Sequence, residues 1–235
     1  MDFRLHHHAE IASTQDCLRD PRWHPGEVCL AERQTAGRGR QGRIWQSQAG
    51  ASLTASALVT ADADAARYLA QTAALALAAA LDLEGIHAAL KWPNDLRFQK
   101  KKLAGFLVEP AGHQRWILGM GVNLNQKNED LALAGQPATS LWQIAGRTFA
   151  PTEVLQGFLK IWGPHLRLLN QGGWAPLAET YRRRLEDTSG LRQWRPSPEG
   201  PSEWVHVQSV AEDGRLAVRL ADGETRWLAS GDLMD

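Results

Sequence analysis

A glycine- and arginine-rich stretch has the composition of an anion-binding loop. From Gly37 to Trp45 the chain reads Gly-Arg-Gly-Arg-Gln-Gly-Arg-Ile-Trp. Glycines let a backbone approach a ligand closely and change conformation at little cost, and arginine presents a fork of donors that suits carboxylate and phosphate oxygens. Taken alone, the stretch also fits a solvated loop or an RNA-binding patch. The formal net charge of zero and the lack of further Arg-Gly repeats disfavour RNA.

The lysines are concentrated in one short region. Four of the six lysines in the chain lie there. Lys91 begins the run Lys-Trp-Pro-Asn-Asp, which ends at Asp95, and Lys102 precedes Leu-Ala-Gly. Lys100 and Lys101 fit a solvated face, whereas a lysine at a strand end beside polar residues indicates a site. Asp95 could hold Mg²⁺, orient a lysine, or only cap the turn after the proline.

A third segment, Gly119 to Asn123, reads Gly-Met-Gly-Val-Asn. Alternating glycines in a predicted strand indicate that a ligand approaches the backbone closely there. The segment is not a dinucleotide-binding fingerprint, because the third glycine and the following helix are missing. Alone it is a weak signal.

In this order and spacing, the motifs closely resemble those of biotin protein ligases. An early Ser13-Thr14 pair and Glu109, after Lys-Leu-Ala-Gly, match as well, and the resemblance extends to Gly231-Asp232. It implies an α+β fold with two domains. Residues 1–187 would form a mixed-sheet catalytic domain related to class II aminoacyl-tRNA synthetases, and residues 188–235 a small SH3-like β-barrel.

The resemblance also implies a reaction in two steps. The carboxylate of biotin attacks the α-phosphate of Mg-ATP and releases pyrophosphate, and an acceptor lysine then takes biotin and expels AMP. ATP and Mg²⁺ accompany biotin, and the partner is a biotin carboxyl carrier domain of a biotin-dependent carboxylase. Joining two anions requires fixed cations that stabilise the charge building on the α-phosphate.

Roles for individual residues follow from the resemblance. Lys102, Arg40 and Asp95 are implied as catalytic, with Asp95 also the candidate ligand for ATP-bound Mg²⁺. The implied biotin contacts are Ser13, Thr14, Gln15, Gln34, Gly37, Arg38, Gly39, Arg40, Lys102, Gly105 and Leu107. The implied contacts to ATP and the adenylate are Arg38, Arg40, Trp45, Lys91, Asn94, Gly119, Gly121 and Asn123.

Two residues depart from the family pattern. Gln15 stands where many relatives have asparagine after Ser-Thr, which leaves its contact with biotin open. Phe106 stands where a β-branched residue or leucine is common, and it is expected to reshape the pocket wall slightly. Neither change affects a charged position.

Two other functions remain to be weighed. A lipoate or octanoyl ligase or transferase is the closer alternative, although the Gly-Arg-Gly-Arg and Lys-Trp-Pro-Asn-Asp motifs favour biotin. A biotin-sensing DNA-binding regulator would need an N-terminal helix-turn-helix, and only twelve residues precede Ser13. The sequence therefore predicts a monofunctional ligase without nucleic acid as a partner, and it leaves monomer and homodimer open.

The elements that must position these motifs follow from hydrophobic periodicity. Strands are predicted at residues 3–12, 28–31, 52–60, 88–92, 103–109 and 115–124. Helices are predicted from Asp62 to just before Gly85, from Pro151 with an interruption at Gly163-Pro164, and over residues 176–185. After Gly190 come short strands, with Asp-Gly turns at residues 213–214 and 222–223 that indicate hairpins.

Composition limits the remaining possibilities. Hydrophobic residues make up 43% and charged residues 22%, which is typical of a soluble globular protein. The two cysteines, Cys17 and Cys29, form no zinc motif and indicate buried free thiols in a cytoplasmic protein. The run His6-His7-His8 is not expected to bind a metal, because consecutive strand residues face opposite sides. No signal-peptide core or membrane-length apolar stretch is present.

Overall fold

The computed structural model describes residues 2–132, 135–186, 189–197 and 199–234. The predicted domain boundary between residues 187 and 188 lies outside the described residues. The strands are β1 (Arg4–Ile11), β2 (Glu27–Gln34), β3 (Ser52–Thr60), β4 (Ala89–Lys91), β5 (Asp95–Phe98), β6 (Lys101–Pro110), β7 (Arg115–Asn123), β8 (Gly190–Arg195), β9 (Glu203–Val210), β10 (Leu216–Arg219), β11 (Thr225–Leu228) and β12 (Asp232–Met234). The helices are α1 (Thr14–Cys17), α2 (Ala63–Ala66), α3 (Leu69–Asp82), α4 (Asn128–Ala132), α5 (Leu141–Ala145), α6 (Pro151–Gly172) and α7 (Ala175–Arg184).

Seven strands form one mixed sheet in the order β1-β2-β3-β7-β6-β5-β4. β1 and β2 are parallel, and the other neighbours are antiparallel. The predicted α+β class with a mixed sheet is therefore confirmed. Because side chains alternate along a strand, Ala55 and Ala57 of β3 join the main core, whereas Leu58 joins a smaller cluster on the other face.

Helices α3, α6 and α7 cover one face of this sheet and bury the main core. The predicted interruption of α6 at Gly163-Pro164 is wrong, because the helix continues through Pro164. An internal proline costs a helix about 3 kcal/mol. Here Trp162 and Leu166, on either side of the proline, are each buried in the core, and their packing outweighs that penalty.

The helix predicted to begin after Asp62 does so, with the Asp62 side chain accepting from the Ala65 amide at 2.8 Å. It is not one helix, however, because α2 ends at Ala66 and α3 begins at Leu69. Tyr68 between them has non-helical backbone angles. Its ring stacks on Trp174 at 4.8 Å between centroids, so tertiary packing replaces the helical conformation at this residue.

The C-terminal residues form a second, five-stranded antiparallel sheet in the order β11-β10-β9-β8-β12. The hairpins at the two Asp-Gly turns are confirmed, whereas β5, β8 and β12 were not predicted. Among the described residues no pairing joins β11 to β12, so the sheet is open and the SH3-like barrel stays a prediction. Across the ranges described above, no helix is both long and apolar enough to cross a membrane.

Candidate active site

A cavity of about 750 Å³ lies on the face of the large sheet opposite α3 and α6, beside α1 and the Gly37–Trp45 loop. It brings together most of the residues singled out from the sequence. Those that line it are Thr14, Gln15, Gln34, Arg38, Gly39, Arg40, Trp45, Asn94, Asp95, Lys102, Gly105, Leu107, Gly119, Gly121 and Asn123.

Three predicted site residues do not line the cavity: Ser13, Gly37 and Lys91. Ser13 is the N-cap of α1, and its hydroxyl accepts from the Asp16 amide at 3.4 Å. A Cβ atom at Gly37 would lie 2.6 Å from the Trp45 carbonyl oxygen, so only glycine fits there. Ser13 and Gly37 therefore shape the elements that carry the site.

The floor of the cavity depends on the two glycines of β7. A Cβ atom at Gly121 would overlap the ring of Trp45, and one at Gly119 would lie 2.9 Å from the Gln15 amide carbon. The alternating pattern of Gly119 and Gly121 therefore has a physical reason. It lets Gln15 and the indole of Trp45 lie directly on the strand.

Helix α1 projects Thr14 and Gln15 into the cavity from above β2 and β3. The Gln34 side-chain oxygen accepts from the Thr14 amide at 2.8 Å and from its hydroxyl at 3.0 Å. That hydroxyl also lies 2.7 Å from the Ser56 hydroxyl, and the Gln15 amide donates to the Leu107 carbonyl at 3.4 Å. This network offers neutral donors and acceptors, the groups that would suit a ureido ring.

Lys102 and Asp95 form an ion pair within the cavity. The Lys102 ammonium lies 2.9 Å from Asp95 Oδ1, and the two side chains are only 15% and 17% exposed. A Cβ atom at Gly105 would lie 3.2 Å from the Lys102 nitrogen, so this glycine makes room for the pair. By contrast, Lys100 and Lys101 are exposed, in agreement with their interpretation as a solvated face.

Arg38 and Arg40, two of the three loop arginines that line the cavity, differ in how their charge is balanced. Arg38 donates to both carboxylate oxygens of Asp16 at 2.7 Å and lies 3.6 Å from Glu109. The hydrogen bond from Arg38 lowers the pKa of Asp16 below its ordinary value, so that carboxylate stays ionised and neutralises the guanidinium. Arg38 is therefore already paired with two carboxylates.

Arg40 is held mainly by neutral oxygens. It donates to Asn94 Oδ1 at 2.7 Å and to the Gly231 carbonyl at 3.3 Å, while Asp232 lies 3.7 Å away. Burial lowers the pKa of Arg40 from its ordinary value, an effect that the charges of Asp232 and Asp95 oppose. A desolvated, incompletely paired cation attracts anions strongly. Of the two, Arg40 is the better anion-binding group.

The Gly37–Trp45 loop is ordered as a short hairpin. The Gly39 amide donates to the Arg43 carbonyl at 2.7 Å, and the Trp45 amide donates to the Gly37 carbonyl at 3.0 Å. Its tip turns through Gln41 and Gly42, which have φ angles of 59° and 73°. Arg43 at the end of the tip pairs with Asp232 of β12, so the loop contacts the C-terminal sheet.

Side chains of the Lys-Trp-Pro-Asn-Asp motif contact two different parts of the molecule. Trp92 is buried in the core of the C-terminal sheet, and its indole donates to the Gly214 carbonyl at 3.0 Å. Asn94 faces the cavity, where its amide donates to the Phe106 carbonyl at 2.6 Å and its oxygen accepts from Arg40. The side chain of Phe106 is buried in the main core.

Several residues of the cavity received no individual site role from the sequence, including Arg43, Ser56, Asp232 and Met234. Arg43 lies inside the Gly/Arg stretch and could have been singled out with its neighbours. Ser56 carries no signal, because it sits in a strand of small residues. Asp232 and Met234 belong to β12, and only the folding of the tail onto the loop brings them to the cavity.

Asp95 is the predicted ligand for Mg²⁺, and its environment limits that role. A single carboxylate paired with a lysine does not make a resident Mg²⁺ site. Mg²⁺ is commonly held by one or two carboxylates together with substrate phosphates. Asp95 therefore fits an ion that arrives on ATP, for which the phosphates supply the other ligands.

Known proteins are similar to this chain in sequence and in fold. The family model described as Biotin/lipoate A/B protein ligase family matches residues 9–123. The chain is 31% identical over 217 residues to the "Biotin--[acetyl-CoA-carboxylase] ligase" of Mycobacterium tuberculosis, a match that covers 89% of this chain and 79% of that protein.

It is 32% identical over 160 residues to the "Bifunctional ligase/repressor BirA" of Bacillus spizizenii, covering 65% of this chain and 49% of that protein. The chain thus spans about half the length of such bifunctional relatives. Among solved structures, the biotin protein ligase from Aquifex aeolicus in complex with biotin and ATP superposes with a TM-score of 0.83 at 28% identity, covering 98% of this chain and 97% of that one.

Proposed function

This chain belongs to the biotin/lipoate A/B protein ligase family, and from that premise we propose that it is an ATP-dependent biotin protein ligase. Its product in the first step is biotinyl-5'-AMP. In the second step it transfers biotin to one lysine of a biotin carboxyl carrier domain. The Mycobacterium tuberculosis and Aquifex aeolicus proteins named above are biotin ligases by name, and the Aquifex structure is a complex with biotin and ATP.

The observation that carries the proposal is the placement of two cations, Lys102 and Arg40, in one cavity that also holds Asp95. Lys102 pairs with Asp95, and the charge of Asp95 also favours protonated Arg40. Both cations line a single cavity with a glycine floor. The first step brings a carboxylate to a phosphate, and preorganised cations at that point stabilise the transition state without reorganising.

In this first step an oxygen of the biotin carboxylate forms a bond to the α-phosphorus. The bond between that phosphorus and the oxygen bridging to the β-phosphate breaks, and pyrophosphate leaves with the electron pair. Lys102 would lie between the two anions, and Arg40 would hold the phosphate. Thr14, Gln15 and Gln34 supply the neutral hydrogen-bonding groups for biotin.

In the second step the neutral amine of the carrier lysine attacks the acyl carbon. An amide bond forms, AMP leaves, and the amine loses a proton. Asp95, one of the carboxylates that line the cavity, would orient the incoming lysine once its contact with Lys102 is shared. The Gly37–Trp45 loop, closed against β12, would exclude water that otherwise hydrolyses the anhydride.

The C-terminal sheet, which we expect to be the SH3-like domain from residue 188, would brace this closed loop. Its support is the contact of Arg43 with Asp232 and of Arg40 with the Gly231 carbonyl. The sheet also supplies Met234 to the cavity wall. Its role is therefore proposed to be structural at the nucleotide side of the site.

A pyrophosphate-release assay tests the activity and separates it from that of a lipoate ligase. The purified protein is incubated with ATP and either biotin, lipoate or octanoate, and pyrophosphate is measured with time. We expect pyrophosphate release that depends on biotin. When a biotin carboxyl carrier domain is added, we expect biotin to be attached to its lysine. Release driven by lipoate or octanoate and not by biotin would overturn the assignment.

A further inference from the structure

A second group of ligand-type side chains lies outside the cavity. His8 of β1, Cys17 at the end of α1 and Cys29 of β2 place their ligand atoms within 4.8 Å of one another. His8 Nε2 lies 4.0 Å from the Cys17 sulfur. Neither cysteine is in a disulfide, and neither they nor His8 line the cavity described above.

Only one of the three consecutive histidines joins this group, because strand alternation turns His7 away and other contacts engage His6. His6 is engaged elsewhere, since it contacts Glu27 at 2.5 Å and packs on the Trp23 ring. His7 faces the other side of the strand and lies 3.5 Å from Glu32. His8 alone meets the two sulfur atoms.

The surroundings of the group are apolar. Cys29 is fully buried in a cluster with Leu18, Leu58 and Ile117, while Cys17 and His8 are only partly buried. A cation could therefore enter from the side of Cys17 and His8. Two thiolates would neutralise the charge of a divalent ion, so the occupied site would carry no net charge into the apolar cluster.

We infer that His8, Cys17 and Cys29 form a binding site for a thiophilic metal ion of the Zn²⁺ class. Thiolate and imidazole are the ligands that Zn²⁺ prefers, with bond lengths of about 2.0–2.3 Å that a group this compact can reach by small side-chain movements. Binding would release the two thiol protons. Within the described ranges no fourth histidine, cysteine or carboxylate joins the group, which leaves one position of a tetrahedral ion for water.

Such an ion would connect three elements. His8 is on β1, Cys29 is on the neighbouring strand β2, and Cys17 ends the helix that crosses above them. An ion that binds the folded but not the unfolded chain raises the folding equilibrium constant by a factor of one plus the ratio of free ion concentration to dissociation constant. At a free concentration about a hundredfold above the dissociation constant, the folding equilibrium constant would rise about a hundredfold.

Cobalt titration of the full chain tests the inference, because Co²⁺ replaces Zn²⁺ and its thiolate complexes absorb in the near ultraviolet. The chain has only two cysteines, so any thiolate-to-cobalt band reports on this group. The protein is prepared without a polyhistidine tag, reduced and treated with a chelator. We expect a band that saturates at one equivalent, that Zn²⁺ abolishes, and that Mg²⁺ leaves unchanged.

Single variants locate the ligands. Cys17→Ser should abolish the band or weaken binding at least about tenfold, since even losing an outer partner of a metal ligand costs about 10- to 100-fold in affinity. His8→Gln should weaken binding similarly and is the variant safest for folding, because His8 is partly exposed. His7→Gln, the neighbour on the opposite face of β1, is the matched control and should bind like the wild type.

Absence of the band in the reduced wild-type protein would overturn the inference. So would a band that persists in both Cys17→Ser and His8→Gln, or a protein that forms a Cys17–Cys29 disulfide under oxidant but binds no cation when reduced. None of these measurements uses biotin or ATP, so their outcome is independent of the proposed ligase activity.

Discussion

At the scale of single residues, Lys102 is expected to be the most costly charge to remove from the site. Lys102→Gln keeps roughly the length of the side chain and loses the cation. Loss of one preorganised electrostatic donor typically lowers the rate by about a hundredfold to a thousandfold. The measurement is biotin-dependent pyrophosphate release, with folding checked by circular dichroism. Lys102→Arg should not restore the rate fully, because a planar fork does not replace a compact charge.

Two neighbouring lysines serve as controls for this variant. Lys100 and Lys101 are exposed, so Lys100→Gln and Lys101→Gln should each change the rate little. If Lys102→Gln keeps more than about a tenth of the wild-type rate, or if Lys101→Gln is equally slow, Lys102 is not the catalytic lysine.

Arg40 is expected to retain the adenylate. Arg40→Gly removes a partly buried cation from a loop, so biotinyl-5'-AMP should escape and label lysines of unrelated proteins. The measurement is biotin incorporated into a bystander protein that contains no carrier domain, compared with incorporation into the carrier. Labelling confined to the carrier at the wild-type rate would contradict this role. Arg38→Gly is the matched comparison, and we expect less leakage because Arg38 is already paired with Asp16 and Glu109.

At the scale of elements, the contact between the Gly37–Trp45 loop and β12 should control loop closure. Asp232→Asn removes the carboxylate that pairs with Arg43 and lies 3.7 Å from Arg40. Such a partly exposed pair contributes at most about 1 kcal/mol to stability. We therefore expect an unchanged fold and a several-fold faster loss of the adenylate, measured as its hydrolysis in the absence of carrier.

Glu212→Gln changes an exposed acidic residue in the turn between β9 and β10 and controls for the loss of one negative charge. Hydrolysis equally fast in both variants would show that the loop contact is not responsible.

A chain ending near Gly190 is a coarser test of the C-terminal sheet. We expect it to lose transfer activity, and a folded, fully active truncated protein would contradict the proposed role. Its inactivity alone says less, because removing the sheet also uncovers Trp92.

At the scale of the whole molecule, biotin and ATP together should stabilise the fold more than either ligand alone. The proposed adenylate would contact α1, β6, β7 and the loop, which all line the cavity, and a ligand at a thousandfold its dissociation constant contributes about 4 kcal/mol. The measurement is the thermal denaturation midpoint with each ligand and with both. Lys102→Gln, which should form little adenylate, should lose the extra shift. Equal midpoints with one and both ligands in the wild type would exclude a tightly held intermediate.

Much of the fold could be predicted locally. Period-two alternation and Asp-Gly turns located most strands and both C-terminal hairpins, since side-chain direction and turn geometry are properties of neighbouring residues. Predictions failed where distant packing overrode local preference. The stacking of Tyr68 on Trp174 separates α2 from α3, and burial of Trp162 and Leu166 carries α6 through Pro164.

The sequence by itself predicted which motifs belong to the candidate site, because glycine allows close backbone approach and arginine and lysine supply positive charge. Only the tertiary structure decided how their charges are balanced. Residue types do not reveal that Asp16 neutralises Arg38 while Arg40 meets mostly neutral oxygens, or that β12 reaches the loop. The same holds for His8, Cys17 and Cys29. Their meeting depends on the parallel pairing of β1 with β2 and on the crossing of α1, contacts between residues far apart along the chain.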